Sequence, residues 1–382
     1  MSDRQIAVPA TRSLSARGVL IWALPTAFTL SWLAYVTWSG QWDRVVGHWR
    51  TGLTMIFGSF VAGSTPQGGG AVAFPVFTKV LEIPAAVART FSVSIQATGM
   101  VMASLSILLA GRRIDKRALG LGVLGGSIGF MIGLFVLSDP GTIWWESRIS
   151  APYVKVSFTI AIAAMAYIVY LCFVTGASGS EAVDDWTRTS ASTLVLFAVV
   201  GGIASALTGS GVDVMLFLFV VLVAGLHPRV GIPTSIITMA VVSTLGLVVL
   251  GIVDGQLAID LDASGDVVAV GGTEVDGLDP TRFDLFGIWL GAAPLVVWGA
   301  PLGSWVASIL NERALITFVA GMALLEVATT IIFLDALHDD VRLVVFGVVG
   351  LLGALGAVRI LARHRHQIMG TTAVERDRVE VS

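Results

Sequence analysis

Charge is the scarcest property of this chain. Only 13% of its 382 residues are Asp, Glu, Lys or Arg, about half the share that a soluble domain carries. So little charge cannot cover a water-facing surface, which excludes a soluble globular protein. Cysteine is as scarce. Cys172 stands alone, which excludes an intramolecular disulfide and any cysteine-cluster metal site. The five histidines fall at no metal-ligand spacing, and no cofactor is expected. The residues before Val19 hold three arginines and no cleavage pattern, so the first apolar run reads as a retained span, not a removed signal. The alternation of an outer-membrane barrel is absent. No nucleophile–base arrangement is visible, and Gly68-Gly69-Gly70 lacks the lysine of a phosphate-binding loop. The chain does not read as an enzyme, and without an ATP-binding domain it does not read as a primary pump.

What is abundant is apolar length. Hydrophobic residues make up 55% of the chain and mean hydropathy is +0.86. Val19 to Trp38 runs 20 residues without a charge, enough at about 1.5 Å per residue to cross a hydrocarbon core of roughly 30 Å. Further candidates are 51–82 (broken), 84–110, 118–138, 152–175, 191–226 (broken), 230–253, 284–310, 314–335 and 342–361. The expectation is an all-α polytopic membrane protein, one transmembrane transporter domain over 1–382. It has about eight transmembrane helices plus two opposed re-entrant broken-helix hairpins in an inverted repeat.

Lysine and arginine near span ends set the orientation. The basic loop Gly111 to Arg117 is expected in the cytoplasm, with the N-terminus (1–18) and the tail (362–382). The 254–283 loop, with seven acidic residues and one arginine, is expected outside as an insertion. Its Leu261–Gly271 stretch reads as a small hairpin turning at Ser264-Gly265-Asp266, resembling a calcium loop only loosely. For the basic loop to lie inside, 51–82 must begin and end outside, while 191–226 begins and ends inside.

The two broken segments match each other. Gln67-Gly-Gly-Gly70 lies over Thr208-Gly-Ser-Gly211 at an offset of 141, and Phe91-Ser92 over Thr234-Ser235 at 143. The repeat cores are 51–138 and 191–310. Glycine-broken helices in corresponding halves are the best sequence pointer to a transporter's binding site. Helices starting at Ala71 and Val212 would offer free N–H groups and positive dipole ends to a small anion. Ser64, Thr65, Gln67, Gly68, Gly69 and Gly70 at the first break, and Thr208, Gly209, Ser210 and Gly211 at the second, are candidate substrate-binding residues. Ser92 and Gln96 on one long helix, and Ser235 and Thr238 on the other, add neutral donors. The competing reading is helix packing through small residues, and it is preferred for the glycines in 121–133.

Arg89 either attracts or gates an anion or snorkels to headgroups. Lys79 and Glu82 read as interfacial. Asp213 and Glu326 are candidate coupling residues, because intramembrane carboxylates are expensive and usually functional. For both, a neutral hydrogen-bonded carboxyl within the bundle is the alternative.

The segments Gly63 through Pro75 with Thr90-Phe-Ser92, and Gly202 through Phe217 with Pro233-Thr-Ser235, resemble the TauE/SafE sulfite exporter family, also called the 4-toluene sulfonate uptake permease family. The resemblance covers roughly 50–360. It implies secondary transport of a small sulfur-containing anion (sulfite, thiosulfate or an organosulfonate) across the cell membrane by alternating access, with proton coupling as one option. Ser210 in place of a central glycine, Asp213, and the lack of a proline matching Pro75 depart from the family pattern. An uncoupled anion channel or uniporter, and a membrane-embedded non-transport protein, are the alternatives.

Overall fold

A computed structural model of the chain describes residues 16–69, 73–74, 76–174, 180, 182–183 and 186–369. Gly70, Ala71 and Pro75 lie outside the described residues. The main helices are α1 (Ala16–Ser39), α2 (Trp49–Ser64), α3 (Ala85–Leu109), α4 (Lys116–Leu137), α5 (Ala151–Val174), α6 (Arg188–Thr208), α7 (Val212–Leu218), α8 (Pro228–Gly246), α9 (Leu285–Ile309), α10 (Glu312–Phe333) and α11 (Val341–Met369). Their starts follow local chemistry. Asp115 accepts from the Ala118 N–H at 2.8 Å, Thr187 from Ser190 at 3.1 Å, Asp284 from Gly287 at 3.0 Å and Asn311 from Ala314 at 2.8 Å. Each removes an orphan donor of the first turn.

Small residues decide which helices touch. Gly125 of α4 faces Val195 and Ala198 of α6, Gly129 faces Val199, and Gly133 faces Ile203 and Ala206. Steps of four place these glycines on one helix face, and both partners advance together, so α4 and α6 run parallel. The same relation joins α2 to α9: Gly52 meets Gly291, Gly299 meets Ser59, and Gly303 meets Phe60. The small residues of 121–133 thus serve close backbone approach.

Between these pairs, α3 and α8 cross the centre antiparallel. Thr90 Oγ1 donates to Gln256 Oε1 at 2.7 Å, Gly246 faces Val93, and the Asp115 N–H donates to Thr234 Oγ1 at 3.1 Å. The outermost α1 and α11 keep apolar side chains such as Leu30, Val349 and Leu352 exposed, as lipid-facing helices do.

The two ends of each broken segment lie near each other. At one end of the bundle, His48 before α2 lies 3.3 Å from Asp284, and Arg282 donates to the Glu82 carbonyl at 2.6 Å. The start of the first broken segment and its return are therefore at the same end. At the other end, Trp186 before α6 stacks on Phe219, and the Ser180 N–H donates to the Gly225 carbonyl at 2.9 Å. Here the second broken segment begins and finishes.

Eight helices are long and apolar enough to cross a membrane among the described residues, the number expected, but their membership differs. Arg188–Thr208 counts as a full crossing length by itself, so the second broken segment opens with more than half a span. Among the described residues the helix at the expected 314–335 span, Glu312–Phe333, contains the apolar stretch Thr317–Phe333. The protein is a multi-pass membrane protein.

The acidic loop contains the expected hairpin and one further strand. Ile259–Leu261, Val267–Val270 and Thr273–Leu278 pair antiparallel in chain order. Asp262 organises the turn by accepting from Ser264 Oγ at 2.6 Å and from the Ser264 and Asp266 N–H groups at 2.9 Å. The Ser264 hydroxyl holds the Asp262 carboxyl below its ordinary range. Ile259, Val267 and Val270 pack with Leu285, Ile288 and Ile83, so the sheet rests on the end of the bundle where the first broken segment closes.

Candidate functional site

The two breaks meet. Thr208 ends α6, Gly209 follows at φ +83° and Gly211 at φ +151°, and Gly68 turns the first break at φ +66°. Glycine takes these angles without the Cβ clash that other residues meet. Ser210 Oγ donates to the Gln67 carbonyl at 3.3 Å across the junction. Gln96 Nε2 donates to the Gly209 carbonyl at 2.7 Å and to Ser92 Oγ at 2.8 Å, and Ser92 Oγ donates to the same carbonyl at 3.3 Å. The central helix α3 thus holds the second tip through the two polar residues that its sequence spacing places on one face.

The remaining polar candidates divide by what they bond. Ser64 and Thr65 hydroxyls donate back to the Phe60 and Val61 carbonyls at 2.7 and 3.0 Å, which finishes α2. Ser235 and Thr238 likewise donate to Ile232 and Thr234 carbonyls of their own helix. Thr208 Oγ1 donates to the Ser210 carbonyl at 2.7 Å and fixes the turn. Gln67 Nε2 donates to the Val319 carbonyl at 3.2 Å, tying the first tip to α10.

Arg89 is fully buried and turned away from the tips. Its guanidinium donates to the Trp144 and Trp145 carbonyls, each at 2.8 Å, and does not snorkel, while its backbone carbonyl lies against Gly209.

The half-helix start at Val212 is already served by the chain itself. Asp213 Oδ1 accepts from the Gly211 N–H at 3.2 Å and the Val214 N–H at 3.0 Å, and Ser205 Oγ accepts from the Val212 N–H at 3.0 Å. Donors expected to face an anion are thereby occupied. The matching start at Ala71 lies outside the described residues. Asp213 Oδ2, Gln96 Oε1 and Gln67 Oε1 are buried without a hydrogen-bond partner among the described residues.

Glu326 belongs to a second polar cluster. Its Oε1 accepts from Thr159 Oγ1 and from Thr330 Oγ1, each at 3.2 Å, and these hydroxyls lie 2.9 Å apart. Lys79, which the sequence places at the interface, donates to Thr330 Oγ1 at 3.3 Å. The returning chain of the first break is thus joined to α5 and α10.

Sequence reasoning missed a basic vestibule. A cavity of about 310 Å³ opens at the end of the bundle carrying the 111–117 loop, lined by Arg112, Arg113, His227, Arg229 and Ser304, and it reaches Gly63 one residue before the first break. Arg112 Nη1 donates to Ser304 Oγ at 2.8 Å, and burial lowers the pKa of its guanidinium. Arg229 donates to the Leu310 carbonyl at 3.3 Å. The arginine pair 112–113 was visible in the sequence but read only as an orientation signal. Its convergence with Arg229 depends on the antiparallel crossing of α3 and α8.

Comparison with known proteins supplies one match, to the family model described as Sulfite exporter TauE/SafE, over residues 51–330. Neither the curated proteins nor the solved structures give a match. That matched range contains both breaks, α3, α8 and the vestibule, and on it the chain belongs to the TauE/SafE sulfite exporter family, a family of membrane transporters.

Proposed function

We propose that this protein is a secondary transporter that moves a small sulfur-containing anion, such as sulfite, thiosulfate or an organosulfonate, across the cell membrane by alternating access. The vestibule carries this reading. An arginine-lined cavity that ends at a broken helix gathers anions and delivers them towards the glycine breaks. Focused positive potential in a low-dielectric cleft raises the local concentration of anions.

In this reading the two turned-back segments are opposed re-entrant hairpins of an inverted repeat. The parallel pairs α2 with α9 and α4 with α6 support it, since each joins the first helix of one half to the last helix of the other. With the 111–117 loop in the cytoplasm and both termini there too, the vestibule faces inward. Asp213 and Glu326 serve coupling, and the anion lies against Gln67, Gly68 and Gly69 beside the vestibule's inner end.

The test is uptake of radiolabelled sulfite, thiosulfate and taurine into proteoliposomes under imposed ion gradients, repeated with Asp213→Asn and Glu326→Gln. Accumulation driven by a gradient and lost in either variant is expected. The absence of flux of every sulfur anion would remove the substrate class.

A further inference from the structure

We propose that the junction of the two breaks is a sodium site, built from Asp213 Oδ2, Gln96 Oε1 and Ser210 Oγ around Gly68. Two of these oxygens come from the second break and its short helix and one from α3, and they converge beside the first break. A Cβ placed on Gly68 would stand 2.7 Å from Asp213 Oδ2, 2.8 Å from Ser210 Oγ and 3.3 Å from Gln96 Oε1. Because position 68 is glycine, the oxygens face only its Cα side.

Two of the three are buried and unpartnered among the described residues. Asp213 Oδ1 is fully engaged by backbone N–H groups, while Oδ2 has no donor. The Gln96 amide is held in one orientation, because Nε2 donates to the Gly209 carbonyl; reversing it would set Oε1 against that carbonyl oxygen. Its Oε1 therefore points inward with nothing to accept from.

The chemistry of this set selects the occupant. All ligands are oxygens, which suits a hard cation. The set carries one formal negative charge, and the ion pairs of the described residues include none to Asp213. One positive charge balances a buried carboxylate that otherwise pays heavily for its burial; a divalent ion would leave a charge uncompensated. A proton on Oδ2 would supply one donor to one neighbouring oxygen. A sodium ion serves all three. The bound cation also removes the repulsion that a bare Asp213 would exert on an anion nearby. Cation binding would thus tie the second tip to α3 beside Gly68 and create the condition for anion binding.

This deepens the transport reading by naming the coupling ion, yet it is tested without any transported anion, so the two stand or fall separately. Purified full-length protein in detergent is melted while choline chloride is replaced by sodium chloride at constant ionic strength, with potassium chloride as control. Binding of ²²Na⁺ is measured in parallel. A saturable, sodium-specific rise in Tm of roughly 3 °C is expected, with one ion bound per chain. Asp213→Asn should abolish both, and Ser210→Ala should weaken the affinity about tenfold. Should Asp213→Asn fail to fold, the Ser210→Ala shift and the wild-type stoichiometry decide. No sodium-specific shift and no ²²Na⁺ binding, or a shift unchanged by the variants, would overturn the site. A Tm set by pH alone through Asp213 would replace sodium with a proton, which also overturns it.

Discussion

Ser210 Oγ donates to the backbone carbonyl of Gln67 at 3.3 Å, although the two residues are 143 positions apart. They belong to the two glycine-broken segments, in which Gln67 matches Thr208 and Gly69 matches Ser210. The breaks are therefore not separate loops with similar composition. They touch at their tips, within the bundle, and this contact is one of those that join the two halves.

Gly68 is where that contact tolerates least. Adding a methyl group places it within 2.8 Å of both Asp213 Oδ2 and Ser210 Oγ, at φ +66°. The left-handed angle alone costs about 1–2 kcal/mol for an L-residue. Gly68→Ala is expected to reach the membrane in near-normal amount and to lose most transport in proteoliposomes. Flux at wild-type level would show that the tips do not take part.

The vestibule should act on substrate capture. Removing one charge with Arg112→Gln or Arg229→Gln is expected to raise KM for a divalent sulfur anion about tenfold, the size of one charged hydrogen bond. The change in kcat should be smaller. High salt should shrink the difference between wild type and variant, because screening weakens the same attraction. Initial rates over a substrate series at two ionic strengths check both expectations.

Asp284 gives the clearest pH dependence. Burial works to raise its pKa, but hydrogen bonds from His48 and Arg44, together with the Arg44 charge, hold the carboxyl at about 2, against about 3.9 in an unfolded chain. A depressed pKa contributes stability that is complete above the unfolded value and fades as pH falls through the folded one. Wild-type stability should thus drop between pH 4 and 2, by on the order of 2 kcal/mol. Asp284→Asn should start less stable and show a flatter profile over that window. Thermal melts in detergent across pH measure it.

Lys79 and Glu326 should behave as a coupled pair, since both bond Thr330. Glu326→Gln and Lys79→Met are each expected to impair transport, while the double variant should fall no further than the worse single one. Residues that share a network deviate from additivity by about 0.5–3 kcal/mol. Strict additivity in a double-mutant cycle of transport rates would place the two residues in separate roles.

Much of the architecture was legible because its causes are local. Long uncharged runs and glycine clusters stand out along the chain itself, so the helices, both breaks and the packing preference for 121–133 could be read directly. The pairing of Ser92 with Gln96 on one face followed from helical spacing, and the structure places both on Gly209. Other features depend on what lies opposite. Nothing beside Arg89 indicates that the Trp144 and Trp145 carbonyls would claim its guanidinium. Asp213 reads from the sequence as a coupling carboxylate; that its Oδ1 takes the N–H groups of Gly211 and Val214 depends on how the chain turns at the second break. Lys79 looked interfacial because Thr330 and Glu326 are some 250 residues away. The vestibule needed the antiparallel crossing of α3 and α8, which brings Arg112 to Arg229.

Counterflow tests the central claim most directly. Proteoliposomes are loaded with unlabelled sulfite, placed in a trace of radiolabelled sulfite, and compared with unloaded vesicles. A carrier that exposes one site alternately to each side must return loaded or empty. Internal sulfite is therefore expected to accelerate labelled uptake and to give a transient accumulation above equilibrium. Labelled flux that rises linearly with concentration and ignores internal sulfite would contradict alternating access and leave a channel.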